Sequence, residues 1–150
     1  MQIIKTVERD MGHRVPNHKS KCRNLHGHRY KAEIELSWPV VRTKGVSEEW
    51  MVVDFSDIKT IAKEFVDWEW DHGYMYFNGD EIGFLAKQMG MKAIEVDFIP
   101  TAENIVVLLF DELKKRFEVA FWKNVQLWTI RLRETPTSFV EYQGGGKRDF

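Results

Sequence analysis

Between His28 and Trp38 the side chains change character at every step. Tyr30, Ala32, Ile34, Leu36 and Trp38 share one parity, and Arg29, Lys31, Glu33, Glu35 and Ser37 share the other. A period of two marks a strand with one covered face and one wet face. Such a strand needs neighbours in a sheet and an apolar layer over its covered side. Gln2–Asp10 reads as a second strand, with Ile3 and Val7 on one face. Pro39 ends the first strand, Lys44-Gly45 marks a turn, and Trp50–Val53 reads as a third strand, which together predict an antiparallel meander.

The covering layer is also visible. Behind an Asp54 or Ser56 cap, the helical spacing of Ile58, Ile61, Ala62 and Phe65 predicts a helix to about Val66. Asp80–Met89 reads as a second helix, with Ile82, Leu85, Ala86 and Met89 on one side and Gly90 ending it. Thr101 caps a third, whose stripe is Ile105, Leu108, Leu109, Leu113 and Phe117. Strands near Val125–Arg133 and Ser138–Tyr142 close the chain. The expectation is an α+β fold, an antiparallel sheet with helices on one face. At 150 residues, 43% of them hydrophobic, the chain suits one domain over 1–150, with a flexible tail at 144–150.

Composition narrows the function. Lys and Arg number 22 against 23 Asp and Glu, so no basic field exists to hold nucleic acid. The longest apolar run, Ile105–Phe110, is far short of the ~20 residues of a membrane span. The opening residues lack the layout of a signal peptide, and the single cysteine, Cys22, allows no intrachain disulfide. A cytoplasmic protein without nucleic-acid or membrane partners is expected.

The chemistry concentrates around histidines. His26 and His28 flank Gly27, and in an extended chain positions i and i+2 share a face with Cα atoms about 7 Å apart. They share parity with Tyr30 and Ile34, while His13 continues the parity of Ile3, Val7 and Met11. If the two strands pair, three imidazoles meet, a donor set that suits zinc and leaves a fourth position open. A lone histidine near a core is more often simply hydrogen-bonded, and His18 is read as an exposed loop residue. Cys22 lies in a polar, cationic stretch that favours its thiolate; spacing leaves open a fourth zinc ligand or a separate base or nucleophile. Asp71-His72 could form an acid–base relay but requires a turn, and taken alone the dipeptide is more often a chance pair on the surface. Glu134 shares parity with Trp128, Ile130 and Leu132, placing a carboxylate at the end of an inward row, to meet a ligand's N–H groups or to reach solvent.

Taken in order, these residues resemble a known family. His13, then Asn17 through His28 with its Cys-x-x-x-His-Gly-His element, is similar to the signature of the 6-pyruvoyl-tetrahydropterin synthase superfamily. Met51–Lys59 resembles its strand-to-helix junction, and Asp71-His72, Pro100–Asn104 and Glu134-Thr135-Pro136 follow in the family's order. Three residues between the cysteine and His-Gly-His resemble the 6-carboxy-tetrahydropterin synthase branch. The resemblance implies the T-fold (tunnelling fold), whose sheets join into a barrel in an oligomer, usually a hexamer, with active sites between subunits. It implies conversion of 7,8-dihydroneopterin triphosphate to 6-carboxytetrahydropterin with release of acetaldehyde and triphosphate, on the way to queuosine and related 7-deazapurines. It makes His13, His26 and His28 the Zn2+ ligands and Cys22 the general base. Asp71 and His72 become the relay, Glu134 the grip on the pterin, and Thr101 a pterin contact from the neighbouring subunit. The stretch Gly73–Ile99 is longer than the family pattern and carries its own helix.

Overall fold

The computed structural model describes residues 1–121 and 125–144. Its elements are β1 (Gln2–His13), β2 (His26–Ser37), α1 (Phe55–Phe65), β3 (Tyr74–Phe77), α2 (Glu81–Gln88), β4 (Ala93–Val96), α3 (Ala102–Ala120), β5 (Gln126–Thr135) and β6 (Ser138–Gln143). They form a six-stranded sheet in the order β4-β3-β1-β2-β5-β6. The expected tail, from residue 145 onward, lies outside the described residues. No helix among the described residues is long and apolar enough to cross a membrane.

The central pairing follows from the periodicity. β1 and β2 run antiparallel with Met11 opposite His28 and His13 opposite His26. Val7, Met11, Tyr30, Ala32, Ile34 and Leu36 are buried on one face, joined by Ile130 and Leu132 from β5. α1 covers that face with Ile58, Ala62 and Phe65, and α3 with Ile105, Val106, Leu109, Phe110, Leu113 and Phe117. Burial of a large apolar side chain stabilises by about 1.5–3 kcal/mol, so this interlayer holds the fold together. Asp54 caps α1 by accepting the Ser56 N–H at 2.7 Å, and Thr101 caps α3 by accepting the Asn104 N–H at 3.4 Å.

The α+β architecture stands, while four local expectations change. The strand expected near Trp50–Val53 does not form. Val41 and Met51 instead close a loop, with Val41 N–H on the Met51 carbonyl and Trp50 N–H on the Val41 carbonyl, both at 2.7 Å. Trp50 takes a left-handed φ of 68°, which breaks an extended run, and β2 pairs with β5 rather than with a meander strand. Second, only four strands are joined antiparallel; β3 pairs in parallel with both β1 and β4, so the sheet is mixed.

Third, α2 does not bury its apolar stripe. Ile82, Leu85 and Met89 are exposed, and the helix approaches the sheet through Gly83, where an added Cβ would come within 2.0 Å of the Tyr76 ring. Close approach over a tyrosine face, rather than stripe burial, docks this helix. Fourth, the β2–β5 register shifts between Glu35 and Leu36, where Thr129 and then Leu127 are the partners. Trp128 is the residue skipped, so it is exposed while Leu127 is buried, and the expected row through Trp128 is interrupted.

Candidate functional site

The end of β1 and the start of β2 form the site because both strands carry histidine on the covered parity just where the sheet runs out from under the helices. The three rings gather with centroids 4.5 Å apart for His13 and His26, 5.3 Å for His13 and His28, and 4.9 Å for His26 and His28. One ligand atom from each lies within 4.8 Å of the others, and these three residues could hold a metal ion. Among the described residues that group does not include Cys22.

Two rings are fixed in orientation by main-chain carbonyls. His13 Nδ1 lies 2.6 Å from the Pro100 carbonyl and His26 Nδ1 lies 2.8 Å from that of Asn24. With the Nδ1–H donated outward, the Nε2 lone pair is left to bind, the arrangement usual for ligating histidine. Burial, above all, pushes His13 below the ordinary histidine range, and neighbouring imidazoles push it the same way. Burial acts likewise on His28. Both are therefore neutral nitrogen donors at pH 7, the protonation state a metal requires. The donor set fits a divalent ion of borderline softness.

Glu134 reaches this cluster from β5. Its Oε1 lies 3.4 Å from His13 Nε2 and 3.7 Å from His28 Nε2, and it accepts the Tyr30 hydroxyl at 3.2 Å. That hydroxyl is also 3.2 Å from His13 Nε2. Burial, then the Glu134 charge, raises the Tyr30 phenol far above its usual value, so it remains a proton donor. Tyr30 belongs to the site although its sequence position suggested only core. Its parity with His26 and His28, one rung further along β2, was the available signal.

A cavity of about 390 Å3 is lined by His13, His18, Cys22, Thr101, Glu134 and Phe139. Cys22 is half-buried in a single helical turn, Lys21–Arg23, whose side chains include no buried residue. Thr101 lines this cavity together with Cys22 and Glu134 of its own chain. His18 is exposed as expected, yet it faces the same cavity. A second cavity, about 660 Å3, is lined by His28, Arg29, Lys31, Glu33, Arg133 and Glu134 among others.

Asp71 and His72 do form a pair, with Nδ1 and Oδ2 3.0 Å apart. The turn they need is supplied by a wide helical turn, Val66–Trp70, that continues α1 and buries Val66 and Trp70. His72 then adopts a left-handed φ of 57° and donates its backbone N–H to the Asp10 carbonyl at 2.8 Å. Its ring is largely exposed and shares an open cavity of about 360 Å3 with Met11, Gly27 and His28. Cys22 and His72 line different cavities of the isolated chain, each touching one histidine of the cluster.

The chain is similar to known proteins over nearly its whole length. The family model described as 6-pyruvoyl tetrahydropterin synthase matches residues 2–145. A Haemophilus influenzae protein named 6-carboxy-5,6,7,8-tetrahydropterin synthase is 38% identical over 146 residues, covering 95% of this chain and 98% of its own length. One of the same name from Rickettsia bellii is 41% identical over 144 residues, with 94% and 99% covered. Among solved structures, the 6-pyruvoyl tetrahydropterin synthase of Caenorhabditis elegans superposes with a TM-score of 0.69 at 22% identity, covering 97% of this chain and 96% of that one.

Proposed function

Because the chain belongs to the 6-pyruvoyl tetrahydropterin synthase family, we infer that it is a zinc-dependent 6-carboxy-tetrahydropterin synthase. It would convert 7,8-dihydroneopterin triphosphate to 6-carboxy-5,6,7,8-tetrahydropterin, releasing acetaldehyde and triphosphate, as a step towards queuosine. The observation that carries this reading is the convergence of three imidazoles beside a cavity holding both Cys22 and Glu134.

Zinc bound by His13, His26 and His28 would supply Lewis acidity to the hydroxyls of the substrate side chain, making adjoining protons easier to remove. Cys22, outside the ligand group, is then free to take such a proton as thiolate. Asp71 holds the His72 imidazole in a fixed tautomer, ready to return one. Glu134 accepts the amino and ring N–H of the pterin as a charge-assisted fork, with Tyr30 orienting its Oε1. Thr101 lines the same cavity beside the ring.

Incubating the zinc-loaded protein with 7,8-dihydroneopterin triphosphate should yield acetaldehyde and a carboxypterin by mass. A product that loses triphosphate but keeps its side chain would instead identify a 6-pyruvoyl-tetrahydropterin synthase. Pterin and metal retention without turnover would leave a binding module. The same reading carries a cytoplasmic location, where a thiol base stays reduced; fractionation that finds the protein outside it would count against this.

Self-association belongs to the same reading. β4 and β6 are the two edges of the sheet, and unpaired edges invite pairing with further copies. The resemblance implies a hexamer of two trimeric barrels with its active sites between subunits. Light scattering should show an oligomer of about six chains; a monomer at working concentration would exclude the barrel.

A further inference from the structure

The chemistry above makes no use of Asp80, yet it is the one acidic residue among the described residues that is buried, at 4% exposure. A buried carboxylate persists only when its oxygens are engaged. Its Oδ1 accepts the Ile82 N–H at 3.1 Å as the cap of α2, and its Oδ2 accepts from Arg14 Nε at 2.6 Å. Arg14 directly follows His13 in the chain and keeps only 19% of its side chain exposed. Its Nη1 donates onward to the Arg23 carbonyl at 3.2 Å.

Arg23 is the last residue of the turn that holds Cys22. The Cys22 carbonyl accepts the Val15 N–H at 2.8 Å, and the Asn24 N–H returns to the Lys21 carbonyl at 2.9 Å. The Asn24 carbonyl in turn faces His26 Nδ1 at 2.8 Å. One continuous set of bonds therefore links α2, the end of β1, the cysteine turn and a metal-ready histidine.

We propose that Arg14 and Asp80 are a positioning pair, in which the guanidinium spans the Asp80 carboxylate and the Arg23 carbonyl and so sets where Cys22 sits relative to His13, His26 and His28. The geometry calls for a planar fork with separate N–H groups aimed at two acceptors, which arginine has and lysine lacks. The carboxylate is also felt by its neighbour Tyr74, whose phenol is pushed up to about 12 by burial and then by the Asp80 charge. The pair gives α2 a purpose that its exposed apolar stripe does not: docked through Gly83, it presents Asp80 at its first turn.

Arg14→Lys is the discriminating variant, because it keeps a cation against Asp80 but cannot hold both acceptors in the same geometry. Cys22 is the sole cysteine, so iodoacetamide reports on it alone. With zinc content and melting temperature unchanged, alkylation should become roughly three- to tenfold faster, as expected when one tethering hydrogen bond to the turn is lost. Turnover should fall about 10- to 100-fold with KM within about twofold, since a displaced base slows the chemical step without weakening ligand binding. Asp80→Asn should speed alkylation in the same direction. Parental alkylation in Arg14→Lys overturns the proposal, and so does faster alkylation that tracks a lowered melting temperature. Only the turnover measurement rests on the carboxypterin reading; the alkylation measurement judges the pair whatever the substrate proves to be.

Discussion

Replacing His13 by alanine is expected to prevent retention of the divalent metal proposed for the three histidines and to abolish turnover. His13 is the most enclosed of the three imidazoles, with 2% exposure, and it is held on the Pro100 carbonyl at 2.6 Å. Alanine removes one of three nitrogen donors and leaves that carbonyl without its ring partner. Zinc binding in four-ligand sites is worth roughly 10–16 kcal/mol at neutral pH, or about 3 kcal/mol per ligand. Losing one donor should weaken retention at least ~100-fold. Elemental analysis after dialysis against a weak chelator should fall from one equivalent to a small fraction, with the circular dichroism spectrum preserved. Retention of a full equivalent would dissolve the proposed centre. His72→Ala is the control: its ring shares a cavity with His28 but is not in the ligand group, so the metal should stay.

For Cys22→Ala the expectation is opposite for the metal and equally severe for the reaction. A positioned base contributes ~100- to 10,000-fold, so kcat should drop by that range. Zinc content and pterin affinity should remain close to parental, because Cys22 lies outside the group of ligand atoms while lining the cavity that holds Glu134 and Thr101. Stopped-flow turnover and a pterin fluorescence titration on the same zinc-loaded preparation separate the two effects. Loss of zinc in this variant would make the sulfur a fourth ligand and close the position that the reaction needs.

The histidine cluster could be anticipated because each step to it is local. In a strand, parity alone decides which side chains share a face, so His26 and His28 were bound to project with Tyr30 and Ile34, and His13 with Val7 and Met11. Only one further fact was needed, that β1 pairs with β2. The caps at Asp54 and Thr101 were legible for the same reason, since each acts within three residues. Family resemblance carried the remaining assignments, such as Cys22 and Glu134, which periodicity left open.

What escaped such reading depends on distant partners. Tyr74–Phe77 and Ala93–Val96 are four-residue runs that become strands only by lying alongside each other and β1. Trp128 lost its expected row to a register shift that neither β2 nor β5 encodes alone. The stripe on α2 predicted a buried face, but Gly83 allows contact with Tyr76 that no larger residue could make, and the stripe was left in solvent. Tyr30 gained its role only when Glu134 arrived from a strand more than a hundred positions later.

Sequence by itself determined the faces: alternation and helical spacing state which side of each long element must be covered, because burial of apolar surface rewards that side irrespective of the partner. Tertiary structure alone decided the neighbours: which strand lies beside which, which helix docks by a glycine, and that Asp80 meets Arg14 across 66 positions. Those outcomes rest on packing and desolvation among residues far apart in the chain, and no local pattern carries them.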